Sequence, residues 1–296
     1  MQVFNGLRDL SGGDLTFGLA LGVFDGVHLG HQAVLDAARG EDRLGVLTFE
    51  PHPVKVLAPD RAPRRILSNL EHKKRILSSL GVDFLVVINF TRNFANQEAR
   101  RFADELFATG VRKLSAGDDW TFGRGREGNI ERLREWGNEA GVEVAKVRAV
   151  TLKGERISST RIRQCLQEED LDGAADRLGR PYSVFGEVVK GRQLGRTIGF
   201  PTANVAVSGE QLPPNGVYVV EGNGIRGVAN IGTRPTIENS SRRSLEVHLF
   251  SGGIPMDYGW KMEVSFLKKI RDEQKFDSLD ELKKQIGKDA QEAKLA

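Results

Sequence analysis

At 296 residues, 39% of them hydrophobic and 28% charged, the chain is long enough for two domains and has a globular rather than a disordered composition. Its single cysteine, Cys165, excludes an internal disulfide and a cysteine-built zinc site, and reads as a residue packed on a helix. The net charge is +3, but Lys and Arg alternate with Asp and Glu, as in Glu131 to Glu135 and Lys268 to Lys275, which favours a nucleotide-sized anion over nucleic acid as partner.

The run from Thr16 to Leu21 is apolar and short enough for a strand, and it leads into Gly22-Val23-Phe24-Asp25-Gly26-Val27-His28-Leu29-Gly30-His31. Gly26 and Gly30 let the backbone take unusual dihedrals and approach a ligand closely, while Ala33, Val34, Leu35, Ala37 and Ala38 have helical spacing. The N-terminus of such a helix offers unpaired N–H groups and the positive end of the dipole to a phosphate, and His28 and His31, three apart, share a face of its first turn. A second strand, Arg43 to Phe49, runs into Thr48-Phe49-Glu50-Pro51-His52-Pro53, where two prolines force a turn that carries His52. A helix over Asn69 to Leu80 precedes an apolar strand from Asp83 to Phe90. A helix over Asn96 to Thr109, a strand over Lys113 to Ala116, a helix over Asn129 to Ala140 and a strand over Glu143 to Val147 follow. This alternation predicts a parallel sheet with helices on both faces and ligands beyond the carboxyl ends of its strands, where the histidine loop lies. The longest apolar stretch, at Phe84 to Ile88, is far too short to cross a bilayer and the start of the chain does not read as a signal peptide, so a cytoplasmic protein with no membrane partner is expected.

Gly123-Arg124-Gly125-Arg126-Glu127-Gly128 matches the dinucleotide fingerprint, but it follows the polar Gly117-Asp118-Asp119-Trp120-Thr121 rather than a first apolar strand, which argues against that use. In Arg156-Ile157-Ser158-Ser159-Thr160-Arg161-Ile162-Arg163, hydroxyls precede a helical run. They serve as N-cap chemistry or, with the arginines, as a second phosphate cradle.

Gly179-Arg180-Pro181-Tyr182 punctuates the chain and divides it into residues 1–182 and 183–296, the latter expected to fold alone. Beyond it, Val184 to Val189, Gly216 to Val220, Ile225 to Ile231, Leu245 to Phe250 and Lys261 to Leu267 are short strands without intervening helices. Gly222-Asn223-Gly224 marks a hairpin, and the pattern predicts an antiparallel barrel. A closing helix starts at Ser278 and Glu281, a capping-box pair, with Leu279, Leu282 and Ile286 on one face. Gly191, Gly195 and Gly199 suit a backbone wrapped around phosphates or a tight barrel corner, without the ending of a P-loop. Thr202 and Asn204 offer neutral oxygens to Mg2+. Glu246 and His248 share one face of their strand, which points to solvent or into a ligand cleft.

The string Gly22 to His31 resembles the signature of the nucleotidyltransferases, specifically the bacterial bifunctional riboflavin kinase and FMN adenylyltransferase (FAD synthetase) family. Thr48-Phe49 with Pro51-His52-Pro53, the segment with Gly117, Asp119, Trp120, Phe122 and Gly123, and Ile157 to Arg163 match further motifs of that family. Gly199-Phe200-Pro201-Thr202-Ala203-Asn204 resembles the riboflavin kinase signature, and Asn230 to Thr236, Leu245 to Phe250 and Phe266 to Asp289 agree with it. The resemblance covers nearly the whole chain. It implies an α/β plus β fold: a Rossmann-like nucleotidyltransferase sheet in residues 1–182 and a riboflavin kinase barrel in residues 183–296. It implies two Mg2+-assisted reactions of ATP, riboflavin to FMN in the barrel and FMN to FAD and pyrophosphate at the sheet. His28 and His31 are then catalytic phosphate donors, with Gly22, Phe24, Asp25, Gly26, Gly30, His52, Arg156, Ser159, Thr160 and Arg163 on the nucleotide or flavin. Asp119, where some relatives have asparagine, would contact adenine or ribose. Gly191, Gly195, Gly199, Phe200 and Pro201 would hold the kinase nucleotide, Thr202 and Asn204 the metal, and Glu246 would be the kinase base. Lys190 departs from the histidine of many relatives and is still a phosphate donor. Two other readings stand beside this one: a nucleotidyltransferase for another phosphorylated small molecule with a ligand-binding barrel, and a nucleic-acid binder, which the absence of a clustered aromatic and basic platform disfavours.

Overall fold

The computed structural model describes residues 1–10, 16–191, 199–234, 242–250 and 259–295. Two compact units form, Met1–Arg64 with Lys73–Ser158, and Arg65–His72 with Ser159–Ala296.

The first unit contains β1 (Gln2–Phe4), β2 (Phe17–Leu21), α1 (Leu29–Ala38), β3 (Arg43–Glu50), α2 (Pro53–Leu57), most of α3 (Leu70–Ser79), β4 (Phe84–Asn89), α4 (Arg92–Ala95) and α5 (Ala99–Phe107). Then come β5 (Lys113–Gly117), β6 (Thr121–Phe122), β7 (Gly128–Asn129), α6 (Ile130–Ala140), β8 (Glu143–Val147), β9 (Thr151–Leu152) and β10 (Glu155–Arg156). One sheet runs β1-β4-β3-β2-β5-β8 with every neighbouring pair parallel, as the strand-helix alternation predicts. All five residues of β2 are buried, which is why that strand is a continuous apolar run rather than an alternation. The edge strand β1 is an addition to the sequence reading. The helix expected over Asn96 to Thr109 is α5 alone, preceded by α4, whose first turn Thr91 caps by accepting the Phe94 N–H at 3.1 Å.

The second unit holds α7 (Ser159–Gln167), α8 (Leu171–Leu178), β11 (Tyr182–Val189), β12 (Ala203–Val207), β13 (Gly216–Gly222), β14 (Ile225–Arg234), β15 (Arg242–Leu249), β16 (Lys261–Arg271) and α9 (Leu279–Leu295). The strands close into an antiparallel barrel, β11-β12-β15-β14-β13-β16. The strand β12 joins the five read from sequence. The expected hairpin turns at Asn223 and Gly224, both with positive φ (46° and 83°).

The compact unit around the barrel begins at Ser159 rather than at Ser183. Leu67, Ile162, Leu166, Leu171 and Leu178 bury in one core with Tyr182, Val184, Val247 and Phe266. Gly179, with φ 72°, is the left-handed C-cap of α8, so the punctuation there ends a helix instead of a compact unit. The first turn of α3 is anchored by His72, which is 1% exposed. Its Nδ1 lies 2.8 Å from Glu210 Oε1, and its Nε2 lies 3.1 Å from Ser183 Oγ and 3.4 Å from Glu263 Oε1. Glu210 also accepts the N–H groups of Asn69 (2.8 Å) and Phe185 (2.6 Å). Burial opposes a charge on His72, but the hydrogen bonds to Glu210 and Glu263 prevail and hold its pKa above the ordinary histidine value.

Candidate functional site

Sheet order places β3 on one side of β2 and β5 on the other, so the strand order reverses at β2 and the crevice beyond its carboxyl end is the switch point where ligands bind in such sheets. The loop from Gly22 to His28 rises from that end, its first N–H donated to Leu47 O at 3.2 Å. Phe24 (φ 53°) and Val27 (φ 45°) are non-glycine residues in the left-handed region, and both are fully buried. Such conformations cost about 1–3 kcal/mol each and persist only where the surroundings over-determine them, most often at ligand sites.

His28 is the N-cap of α1: its Nδ1 accepts the His31 backbone N–H at 3.2 Å. A neutral ring that accepts through Nδ1 carries its proton on Nε2, so the cap converts His28 into a fixed N–H donor. The His31 ring stacks on it, with centroids 3.6 Å apart and planes 13° from parallel. A Cβ at Gly30 would meet the His28 ring at 3.1 Å, so a larger residue between the histidines would press on that ring. His52 repeats the device on α2, its Nδ1 accepting the Val54 N–H at 3.2 Å. Arg156 and Asp119 are brought together, Nη2 to Oδ2 at 2.7 Å, with Asp118 3.8 Å from the same nitrogen. Ser159 and Thr160 open α7, and Arg163 donates through Nε to Arg65 O at 3.0 Å.

In the barrel, a cavity of about 250 Å³ is lined by Phe200, Thr202, Asn230, Glu246, His248 and Arg271, among others. The β15 register sets Glu246 opposite Asn204 of β12 on one side and Asn230 of β14 on the other, so three polar side chains form a row across adjacent strands. The face that carries Glu246 and His248 therefore fronts the cavity, which resolves the alternative left by the sequence. A Cβ at Gly191 would lie 2.0 Å from Asn204 Nδ2, so a larger residue there would displace the Asn204 amide from this row. His248 Nδ1 donates to Pro201 O at 2.8 Å and the Phe200 ring packs edge-on at 5.5 Å, tying Phe200-Pro201-Thr202 to β15. Gly199 has φ 85°. Gly195 lies outside the described residues.

The sequence reading matched Phe266 to Asp289 to the riboflavin kinase pattern but gave its residues no role at the cavity, which Arg271, Phe276 and Asp289 also line. Arg271 of β16 forms a bidentate pair with Asp289 of α9, Nε to Oδ1 at 3.0 Å and Nη2 to Oδ2 at 2.8 Å, and its guanidinium lies 5.7 Å from the Phe276 ring centroid. Asp289 is 3% exposed and also accepts from Gln285 at 2.8 Å. With Leu282 and Ile286 lining the cavity, the closing helix is a wall of the site. The spacing of Leu282, Ile286 and Asp289 on one helical face is the sequence signal for this.

A helix N-terminus at the switch point of a parallel sheet and a barrel cavity lined by Glu246, Glu273, Asp289 and Arg271 are the two candidate sites, one in each unit. Residues 15–161 match the family model for FAD synthetase, and residues 178–296 match that for riboflavin kinase. The bifunctional riboflavin kinase/FMN adenylyltransferase of Escherichia coli K12 is 45% identical over 284 residues, covering 92% of this chain and 90% of that protein. The Haemophilus influenzae protein of the same name is 42% identical over 306 residues, covering 99% and 98%. A crystal structure from Streptococcus pneumoniae, described as a macrolide-efflux protein, superposes with a TM-score of 0.81 at 32% identity over 97% of this chain and 96% of that one. No helix among the described residues is long and apolar enough to cross a membrane. The chain belongs to the bifunctional riboflavin kinase/FMN adenylyltransferase family.

Proposed function

We propose that this chain phosphorylates riboflavin at the barrel cavity and adenylylates the resulting FMN at the histidine-capped loop, with the chemistry assigned to residues 183–296 and 1–182 respectively. The kinase reading is carried by the convergence of Phe200, Thr202 and Glu246, from distant segments, on one cavity. There the 5′-hydroxyl oxygen of riboflavin forms a bond to the γ-phosphorus of ATP while the bond to ADP breaks, and Glu246 accepts the hydroxyl proton. Thr202 and Asn204 supply the neutral oxygens that suit Mg2+, and the described residues hold no cluster of three acidic, histidine or cysteine side chains that would bind a metal by itself. These two residues would hold Mg2+ with the nucleotide, where it would neutralise phosphate charge.

In the second reaction an FMN phosphate oxygen, already anionic, attacks the α-phosphorus of ATP and pyrophosphate leaves. No base is required, so the work falls to donors fixed against the developing charge. His28, with its proton directed to Nε2, is such a donor, and His31 stacks against it. Arg156 lies in the same unit, held by Asp119, and an anion would compete for its guanidinium. Gly22, Phe24, Asp25, Gly26 and His52 shape this end of the sheet, while Ser159, Thr160 and Arg163 are assigned to phosphate by the motif alone. ATP, riboflavin and FMN are the partners of this reading, which places the protein in the cytoplasm without a nucleic-acid or membrane partner. Incubation with riboflavin, ATP and Mg2+ followed by chromatography tests it: FMN and then FAD are expected. Adenylylation of a different phosphomonoester without riboflavin phosphorylation would support the alternative transferase.

A further inference from the structure

A lysine ammonium is rarely buried without a task, and Lys73 of α3 is 4% exposed. Its Nζ donates to the Val23 carbonyl at 2.7 Å and to Thr48 Oγ1 at 3.2 Å, and the Thr48 hydroxyl donates to the same Val23 carbonyl at 2.8 Å. Val23 immediately precedes Phe24, where the left-handed stretch of the loop begins. Two donors from different elements thus converge on one carbonyl at the base of the turn that leads to His28. Because the peptide is a trans plane, drawing the Val23 C=O toward Lys73 turns the Phe24 N–H the opposite way and fixes how the strained turn leaves β2.

We propose that Lys73 is a positioning residue for adenylyl transfer: its buried charge holds the Val23 carbonyl, and through the strained turn it sets the placement of His28 and His31. This rests on the adenylyltransferase reading above. A cation suits the role better than a neutral donor, since the carboxylates of Asp25, 3% exposed, and Glu50 act on it electrostatically in favour of its charge. Burial pushes the Lys73 pKa below the ordinary lysine value, against the opposing pull of Asp25 and Glu50.

The test compares K73M and K73R with the parent in the whole chain, measuring FAD formed from FMN and ATP, and FMN formed from riboflavin and ATP, across pH. K73M keeps the shape and leaves the Thr48 hydroxyl on the Val23 carbonyl, so the fold has a donor to fall back on. Its kcat for FAD formation is expected to fall about a hundredfold, the scale of a misplacement of about 1 Å, with the KM for FMN and the rate of FMN formation within about twofold. The parent should lose FAD formation on an alkaline limb below the usual lysine range, and K73R, which keeps its charge, should move that limb to higher pH. Parent-like kcat in K73M, or an unmoved limb in K73R, overturns the proposal, and the limb alone decides if K73M does not accumulate. A parent that makes no FAD refutes the adenylyltransferase reading instead.

Discussion

Cutting the chain at the punctuation before Ser183 tests how the barrel is stabilised. A fragment of residues 183–296 lacks Leu67, Ile162, Leu166, Leu171 and Leu178, each no more than 7% exposed in the core shared with the barrel. At about 1.5–3 kcal/mol for each large apolar side chain taken from water, their burial contributes on the order of 7–15 kcal/mol. Part of that lies between α7 and α8, but even half rivals the whole stability of a typical domain, about 5–15 kcal/mol. The fragment also strands Glu210, which loses His72 and the Asn69 N–H and keeps only the Phe185 N–H among these partners. Leaving a buried charge without its partner costs about 3–5 kcal/mol more. Circular dichroism with urea titration should therefore find no cooperative transition in residues 183–296, and riboflavin phosphorylation should be absent. A fragment of residues 159–296, which regains α7 and α8 but not His72, should unfold earlier than the whole chain. Cooperative unfolding of residues 183–296 with a midpoint matching the whole chain's would refute this account of the core.

Replacing His28 or His31 with Ala should lower FAD formation about a hundredfold, the loss of one oxyanion donor, and leave FMN formation unchanged; His28→Asn, which keeps a capping oxygen without the Nε2–H, should lose as much, and retention of FAD formation by that variant would show that the cap alone matters. Glu246→Gln should lower riboflavin phosphorylation by about 10²–10⁴-fold with ATP affinity within a few-fold, and near-parental turnover at saturating riboflavin would remove the base from Glu246. For His72, the pKa is raised on folding, so its stabilising contribution is complete below its unfolded value and disappears as pH rises through the folded value. The urea midpoint gap between the parent and His72→Gln should accordingly narrow from pH 6 toward alkaline pH, and a constant gap would contradict a charged His72.

The parallel sheet was legible because its central strands, β2, β3, β4 and β5, are mostly buried on both faces and so read as apolar runs between helical patterns. β1 was not, because Gln2-Val3-Phe4 is too short to show a period and owes its conformation to pairing with β4. β12 carried a usable signal, with Ala203 and Val205 facing the core on alternate positions, but Pro201-Thr202 before it reads as loop. Compact packing starts before the motif boundary for a physical reason: a C-capping glycine with a proline soon after it ends any helix, whether or not that helix packs on the next strand.

Placement on an element was legible where the residues are contiguous in the chain, as with His28 and His31 at the start of α1 or the alternation that sets Glu246 and His248 on one face of β15. The support behind such residues was not, and α3 shows why. Glu71-His72-Lys73-Lys74-Arg75 reads as a solvated charge run, yet His72 and Lys73 are buried while Glu71 and Arg75 are exposed. The helical period separates them. Lys73 stands three residues after Leu70 and four before Leu77, and His72 stands four before the buried Ile76, so both fall on the stripe that these apolar residues define. A charged residue in register with such a stripe must find partners inside the protein, and the partners found here are a loop carbonyl and two buried carboxylates that no local pattern could reveal. Position within the period, rather than charge, is what distinguishes a lysine that holds a catalytic loop from one that faces water.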